Sequence, residues 1–153
     1  YDVAYERSLT ALRRLAGDAE AIGVTIAIEN IWNKFLLSPL EMRALIDEIG
    51  SPGVGVFFDV GNAVATGYPE QWIRILGPRI RKVHFKDYRR SVGSLAGFVD
   101  LLAGDVDWPA VMASFRAIGY TGWANAEMCP PYHYAAEQII YNTAAAMDRI
   151  LRL

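Results

Sequence analysis

Four short apolar runs in this chain end in residues that bind hard divalent metals: Ile26-Ala27-Ile28-Glu29, Val56-Phe57-Phe58-Asp59, Lys82-Val83-His84 and Ala124-Asn125-Ala126-Glu127. Runs of this kind, bounded by turn residues, read as strands buried on both faces. A charged group is costly to bury unless it is paired or ligates a metal. Taken singly, each ending reads equally well as a carboxylate or imidazole paired with a nearby Arg or Lys. Taken together, they point to three carboxylates and one imidazole converging on a single ion. That mixed, mostly hard set suits Mn²⁺ best, with Mg²⁺, Co²⁺ or Zn²⁺ as alternatives, and excludes a thiolate-rich structural zinc site.

The elements that must position these residues follow from periodicity and caps. A first helix is expected from Val3 to Ile22, with Leu9, Leu12, Leu15, Ala19 and Ile22 at helical spacing and Gly23 as its stop. A strand follows over Val24–Glu29. Ser38-Pro39-Leu40-Glu41 then supplies an N-cap, a proline at the first helical position and a capping-box glutamate for a helix to Ile49. Val54–Asp59 is the second strand, Pro69–Leu76 a short helix and Ile80–Lys86 the third strand. Asp107 caps a helix that stops at Gly119; Trp123–Glu127 is the fourth strand, and a last helix spans Tyr134–Leu151.

One helix followed by four βα units implies a parallel sheet with helices outside it. A doubly wound sheet is the competing fold, but its first βα turn usually carries a Gly-rich phosphate loop. The turns after Glu29 and His84 contain none. A full eight-unit barrel needs about 250 residues, and the chain has 153. The fold class is therefore α/β, a parallel (β/α) barrel with four βα units present, as one partial barrel domain over residues 1–153. In such barrels chemistry sits at the C-terminal strand ends, where all four candidate ligands fall.

Composition narrows the function classes. A hydrophobic content of 53% suffices for a real core. The net charge of −2, with acids and bases interspersed, lacks the concentrated basic face of a nucleic-acid partner. No uncharged apolar stretch of 18 residues and no basic-then-apolar leader occur, so neither a membrane span nor a signal peptide is expected. A single cysteine excludes an internal disulfide framework and fits a reducing, cytoplasmic compartment. The chain opens at Tyr1, as a processed or partial product does.

Further residues carry chemistry of their own. Lys86, two residues past His84, points the same way along the strand and meets either a substrate oxygen or a carboxylate. Trp32 and Phe35 either anchor the loop after Glu29 or wall a pocket. The stretch from Asp87 to Asp107 is long for a βα loop, and such loops are often functional. It opens with Tyr88-Arg89-Arg90-Ser91, whose paired guanidiniums suit phosphate or sugar oxygens or are simply solvated. Cys129 is expected as a small apolar filler, and His133, after two prolines, as a loop residue.

At these positions the chain resembles the sugar-phosphate isomerase/epimerase family of xylose-isomerase-like TIM barrels. The matching segments are Ile26 to Asn30, Phe57 to Asn62, Val83 to Asp87, Gly104 to Pro109, and Gly119 to Glu127. Their order and spacing are similar to strands five to eight, the second half of that barrel. The resemblance implies that Glu29, Asp59, His84 and Glu127 are the metal ligands and that Glu29 and Glu127 double as the acid/base pair. Ketose 3-epimerases of the tagatose type carry a histidine where this chain has Asn62. The Asp-Val-Gly-Asn form looks more like sugar-phosphate 3-epimerases such as L-ribulose-5-phosphate 3-epimerase. Arg90 occupies the spacing of an arginine that lies six residues past the histidine ligand in the tagatose type. Asn62, Lys86, Arg90 and Trp32 are accordingly the candidate substrate-binding residues.

The implied chemistry is removal of a proton from a carbon beside a carbonyl. A divalent cation stabilises the enediolate, one glutamate takes the proton and the other returns one. Either 3-epimerisation or aldose–ketose isomerisation of a sugar or sugar phosphate fits, as does a sugar or inosose dehydratase. The related apurinic endonuclease branch needs many histidines and a basic groove, and this chain has two histidines. A further alternative is an inactive half-barrel. The expected partners are a small carbohydrate and, because half a barrel leaves its sheet open, either a second copy of the chain or a missing N-terminal half.

Overall fold

A glycine ends each of the first two helices. In the computed structural model, which describes residues 1–128 and 132–153, α1 (Asp2–Ile22) and α2 (Pro39–Ile49) stop at Gly23 and Gly50, both with φ of 70°. That left-handed conformation is unfavourable for residues bearing a Cβ. Ser38 caps α2 by accepting from the Glu41 amide, and Pro39 takes the first turn. Between the two helices lies β1 (Ile26–Glu29), and β2 (Val54–Asp59) follows α2.

Directly after β2 the chain turns into a one-turn helix, α3 (Val60–Val64), then α4 (Pro69–Leu76), β3 (Ile80–Phe85), β4 (Asp87–Tyr88) and β5 (Phe98–Val99). Helix α5 (Trp108–Ala117), strand β6 (Ala124–Ala126) and helix α6 (Gln138–Ile150) complete it. The main sheet has the order β1-β2-β3-β6, all pairs parallel. Parallel neighbours joined through helices are the repeating unit of a (β/α) barrel, and four strands make a partial one.

Strand alternation sorts the two faces. Val54, Val56, Phe58, Val83 and Phe85 point outward to the helices and are at most 2% exposed. There they pack with Met42, Leu45, Ile73, Leu76 and Val111, each at most 1% exposed. Burying a side chain of this size stabilises by roughly 1.5–3 kcal/mol, so the core lies between the sheet and α2, α4 and α5. Ile26 and Ile28 join that layer. Ala27, Phe57, Asp59, Lys82 and His84 take the opposite, inner face.

Several expected bounds shift. The first strand begins at Ile26, not Val24, and the last covers only Ala124–Ala126. Helix α6 starts at Gln138, four residues later than its apolar periodicity suggests. On α1, Leu15 and Ile22 are exposed, and Leu9, Ala16 and Ala19 make the buried stripe. The long Asp87–Asp107 segment is not irregular throughout: β4 and β5 pair antiparallel, Asp87 with Val99 and Tyr88 with Phe98. Cys129 lies outside the described residues. His133 is exposed, as a loop residue should be. No helix among the described residues is long and apolar enough to cross a membrane.

Candidate metal centre

Parallel register sets the site. Asp59 lies beside His84, Glu29 beside Phe57, and the Glu127 amide donates to the Phe85 carbonyl just past β6. Glu29, Asp59, His84 and Glu127 thereby bring one ligand atom each within 4.8 Å of one another. His84 presents Nδ1 to all three acids, at 2.9 Å from Glu29 Oε1, 3.7 Å from Asp59 Oδ2 and 3.8 Å from Glu127 Oε2. The Phe57 ring lies 4.0 Å from the imidazole, centre to centre, and walls one side.

Asp59 divides its carboxylate. Oδ1 accepts from the Asn62 amide at 2.6 Å and starts α3, whereas Oδ2 is buried with no hydrogen-bond partner among the described residues. An orphaned carboxylate oxygen deep in a protein is costly. Burial pushes the Asp59 carboxyl up to about 8, against the opposing pull of the Asn62 amide and the Lys86 charge. Burial also pushes Glu127 up, but the hydrogen bond and charge of Lys86 outweigh it and leave that carboxyl below its ordinary range. The orphaned oxygen and the hard donor set both fit a divalent cation.

Two buried polar residues that the strand-end pattern does not single out hold this arrangement. The Asn30 side chain bonds the backbone of Asp59, and its own carbonyl accepts from Asn62 Nδ2 at 2.9 Å. Asp87, wholly buried, accepts from the amides of Tyr88, Leu102 and Val106 and from Trp108 Nε1. One carboxylate thus gathers both ends of the long loop. A signal existed in each case, a polar residue immediately beyond a strand end, but it does not distinguish a backbone clamp from a solvated side chain.

The candidate substrate residues fall in two places. Lys86 lies at the acid cluster, its Nζ 2.7 Å from Glu127 Oε2 and 3.9 Å from Asp59 Oδ2. Trp32, Asn62 and Arg90 line a neighbouring cavity of about 410 Å³ with Lys34, Leu36 and Tyr88. Trp32 donates to the Asn62 carbonyl and packs edge-on against Tyr88. Phe35 is half-buried, tilted against Tyr1 rather than walling the cavity. Arg89 and Arg90 do not act as a pair: Arg89 reaches the Ala103 carbonyl and Arg90 those of Val64 and Gly67.

Residues 1–150 match the family model for the xylose isomerase-like TIM barrel. The chain belongs to that family. Within it, a 90-residue segment is 32% identical to 2-epi-5-epi-valiolone 7-phosphate 2-epimerase of Actinoplanes sp., covering 56% of this chain and 30% of that protein. Another, of 84 residues, is 27% identical to 3-oxo-isoapionate decarboxylase of Pectobacterium atrosepticum, covering 54% and 30%. Among solved structures, a D-tagatose 3-epimerase-like protein superposes with a TM-score of 0.78 at 20% identity, over 97% of this chain and 54% of that one. An L-ribulose 3-epimerase gives 0.71 at 23% identity, over 97% and 54%. The chain thus spans about half the length of these barrels, and at such identities they speak for its fold.

Proposed function

We propose that this chain is the second half, strands five to eight, of a metal-dependent sugar or sugar-phosphate isomerase/epimerase, with residues 1–153 as one partial barrel domain. The observation that carries the proposal is the convergence of four ligand atoms within 4.8 Å at the strand ends. Glu29, Asp59, His84 and Glu127 would hold the cation, Mn²⁺ by the character of the set. Bound there, such an ion stabilises negative charge developing on substrate oxygens beside a carbonyl.

The chain's own residues do the rest. Glu29 and Glu127 act as the acid/base pair, one accepting the proton from the carbon beside the carbonyl and the other returning one. Asp59, with one oxygen fixed by α3, holds its other oxygen at the centre. Trp32, Asn62 and Arg90 bound the space for the sugar's far end, and Lys86, hydrogen-bonded to Glu127 at the acid cluster, meets a substrate oxygen there. The names of the similar proteins support this reading, since they include 2-epi-5-epi-valiolone 7-phosphate 2-epimerase and an L-ribulose 3-epimerase. A decarboxylase among them favours a second outcome, a lyase working through the same enolate-type intermediate. The substrate is a small carbohydrate and the compartment cytoplasmic.

The test is exchange of solvent deuterium into a panel of ketoses and ketose phosphates by the Mn²⁺-loaded chain, with products resolved chromatographically. Epimer formation with deuterium at the inverted carbon is expected. A Glu127→Gln protein of equal metal content should lose about 10²–10⁴ in turnover. Unchanged turnover in that variant removes Glu127 from the chemistry; dehydrated or decarboxylated products select the lyase. No turnover by the metal-loaded chain, alone or with an N-terminal half, overturns the proposal.

A further inference from the structure

Lys86 is 7% exposed, unusual for a lysine unless its charge is compensated. Its stem lies flush against the start of α3: a Cβ added at Gly61 would fall 2.8 Å from the carbonyl carbon, Cβ and Cγ of Lys86. Its ammonium stands 4.2 Å from the centre of the Phe98 ring, a cation–π contact from the β4–β5 segment. Glycine below and aromatic face beside it make a fitted seat for a cation, and from that seat Nζ reaches Glu127 Oε2 and Asp59 Oδ2.

We infer that Lys86 is a resident counter-cation, which holds Glu127 and Asp59 together when no ion is bound and thereby sets the affinity of the centre for a divalent cation. The inference rests on the metal-centre reading above. Three carboxyl groups converge within 4.8 Å of an imidazole, their charges repel one another to the extent that they are ionised, and one fixed ammonium offsets part of that repulsion. The same ammonium repels an incoming dication. Removing it therefore acts twice in one direction: the ion-free chain is left with less compensated acids, and the ion meets less opposing charge. Lys86 is on this account a positioning residue that keeps the empty centre assembled and its ion exchangeable.

The experiment compares wild type, Lys86→Met and Lys86→Arg, stripped with chelator and titrated with Mn²⁺ by calorimetry, with melting temperatures recorded before and after. Lys86→Met should melt lower than wild type without the ion and bind Mn²⁺ about tenfold tighter or more. Lys86→Arg, keeping the charge, should stay near wild type. Should ion-free Lys86→Met not fold, Lys86→Gln titrated by competition against a fluorescent chelator gives the affinity. Equal or weaker Mn²⁺ binding by the neutral variants, or an unchanged ion-free melting temperature, overturns the inference while leaving the metal centre standing. A wild type that binds no Mn²⁺ overturns both.

Discussion

The side-chain amide of Asn30 bonds both backbone polar groups of Asp59: Oδ1 accepts from its amide at 2.8 Å and Nδ2 donates to its carbonyl at 2.9 Å. The carboxamide thus extends the β1–β2 ladder by one rung where β1 has already ended. Asn30→Ala leaves a buried donor and acceptor unpaired, each costing about 1–3 kcal/mol. The expected result is a melting temperature several degrees lower and weaker metal binding, both read by calorimetry. An unchanged melting temperature would mean that water replaces the amide.

Metal capture should release protons. Burial pushes the Asp59 carboxyl up to about 8, so near neutral pH it holds a proton that a bound cation must displace. Titrating Mn²⁺ in two buffers of different ionisation enthalpy at pH 7 should report about one proton or more released per ion. Buffer-independent heats would contradict this.

The ion-free chain should lose stability as pH rises. Asp59 keeps its proton when folded and loses it near 3.8 when unfolded, so its contribution is full below that value and vanishes as pH passes about 8. Asp87, also raised by burial, acts with the same sign. Glu127 is lowered and acts oppositely, but only as pH falls through the ordinary carboxylate range. Between pH 5 and 8 one such group changes unfolding free energy by at most about 1.4 kcal/mol per pH unit. Urea denaturation across that range should show the decline, and saturating Mn²⁺ should remove the part due to Asp59, leaving that of Asp87.

Association is the fourth expectation. β1 and β6 are the outer strands of the main sheet, and apolar groups beside them are bare: Ile22 is 72% exposed, Val24 51%, Trp123 83% and Ile140 66%. Unpaired edges flanked by apolar surface recruit further strands. Sedimentation at micromolar concentration should show a dimer or larger species, or a monomer that binds an apolar dye and ceases to do so with an N-terminal half. A monomer that binds no dye would contradict the expectation.

How much of this was legible in the residues depended on whether the relevant force was local. Pro39–Ile49 was readable to the residue because Ser38, Pro39, Glu41 and Gly50 are local signals. The convergence of Glu29, Asp59, His84 and Glu127 was readable because four successive apolar runs each end in a charged or imidazole side chain, and parallel strands bring such ends together. The role of Asp87 was not, since its partners Leu102, Val106 and Trp108 lie 15 to 21 residues away. Nor was that of Gly104, where any side chain would collide with Asp87 Oδ1. Arg89 and Arg90 looked alike in sequence and diverge because different carbonyls lie within reach of each.

Asp59 also acts as a caliper. One oxygen marks the first turn of α3 and the other marks the centre of the site, so the two are held a single carboxylate's width apart. A glutamate at position 59 would be too long to meet both marks, and an asparagine would offer an N–H to one of them. The start of α3 also carries Gly61, against which Lys86 lies, and Asn62, which closes onto Asn30. Spacing at the centre is therefore gauged by backbone geometry in a neighbouring helix, and a change in the pitch of that one turn would move Asp59 relative to Glu29, His84 and Glu127.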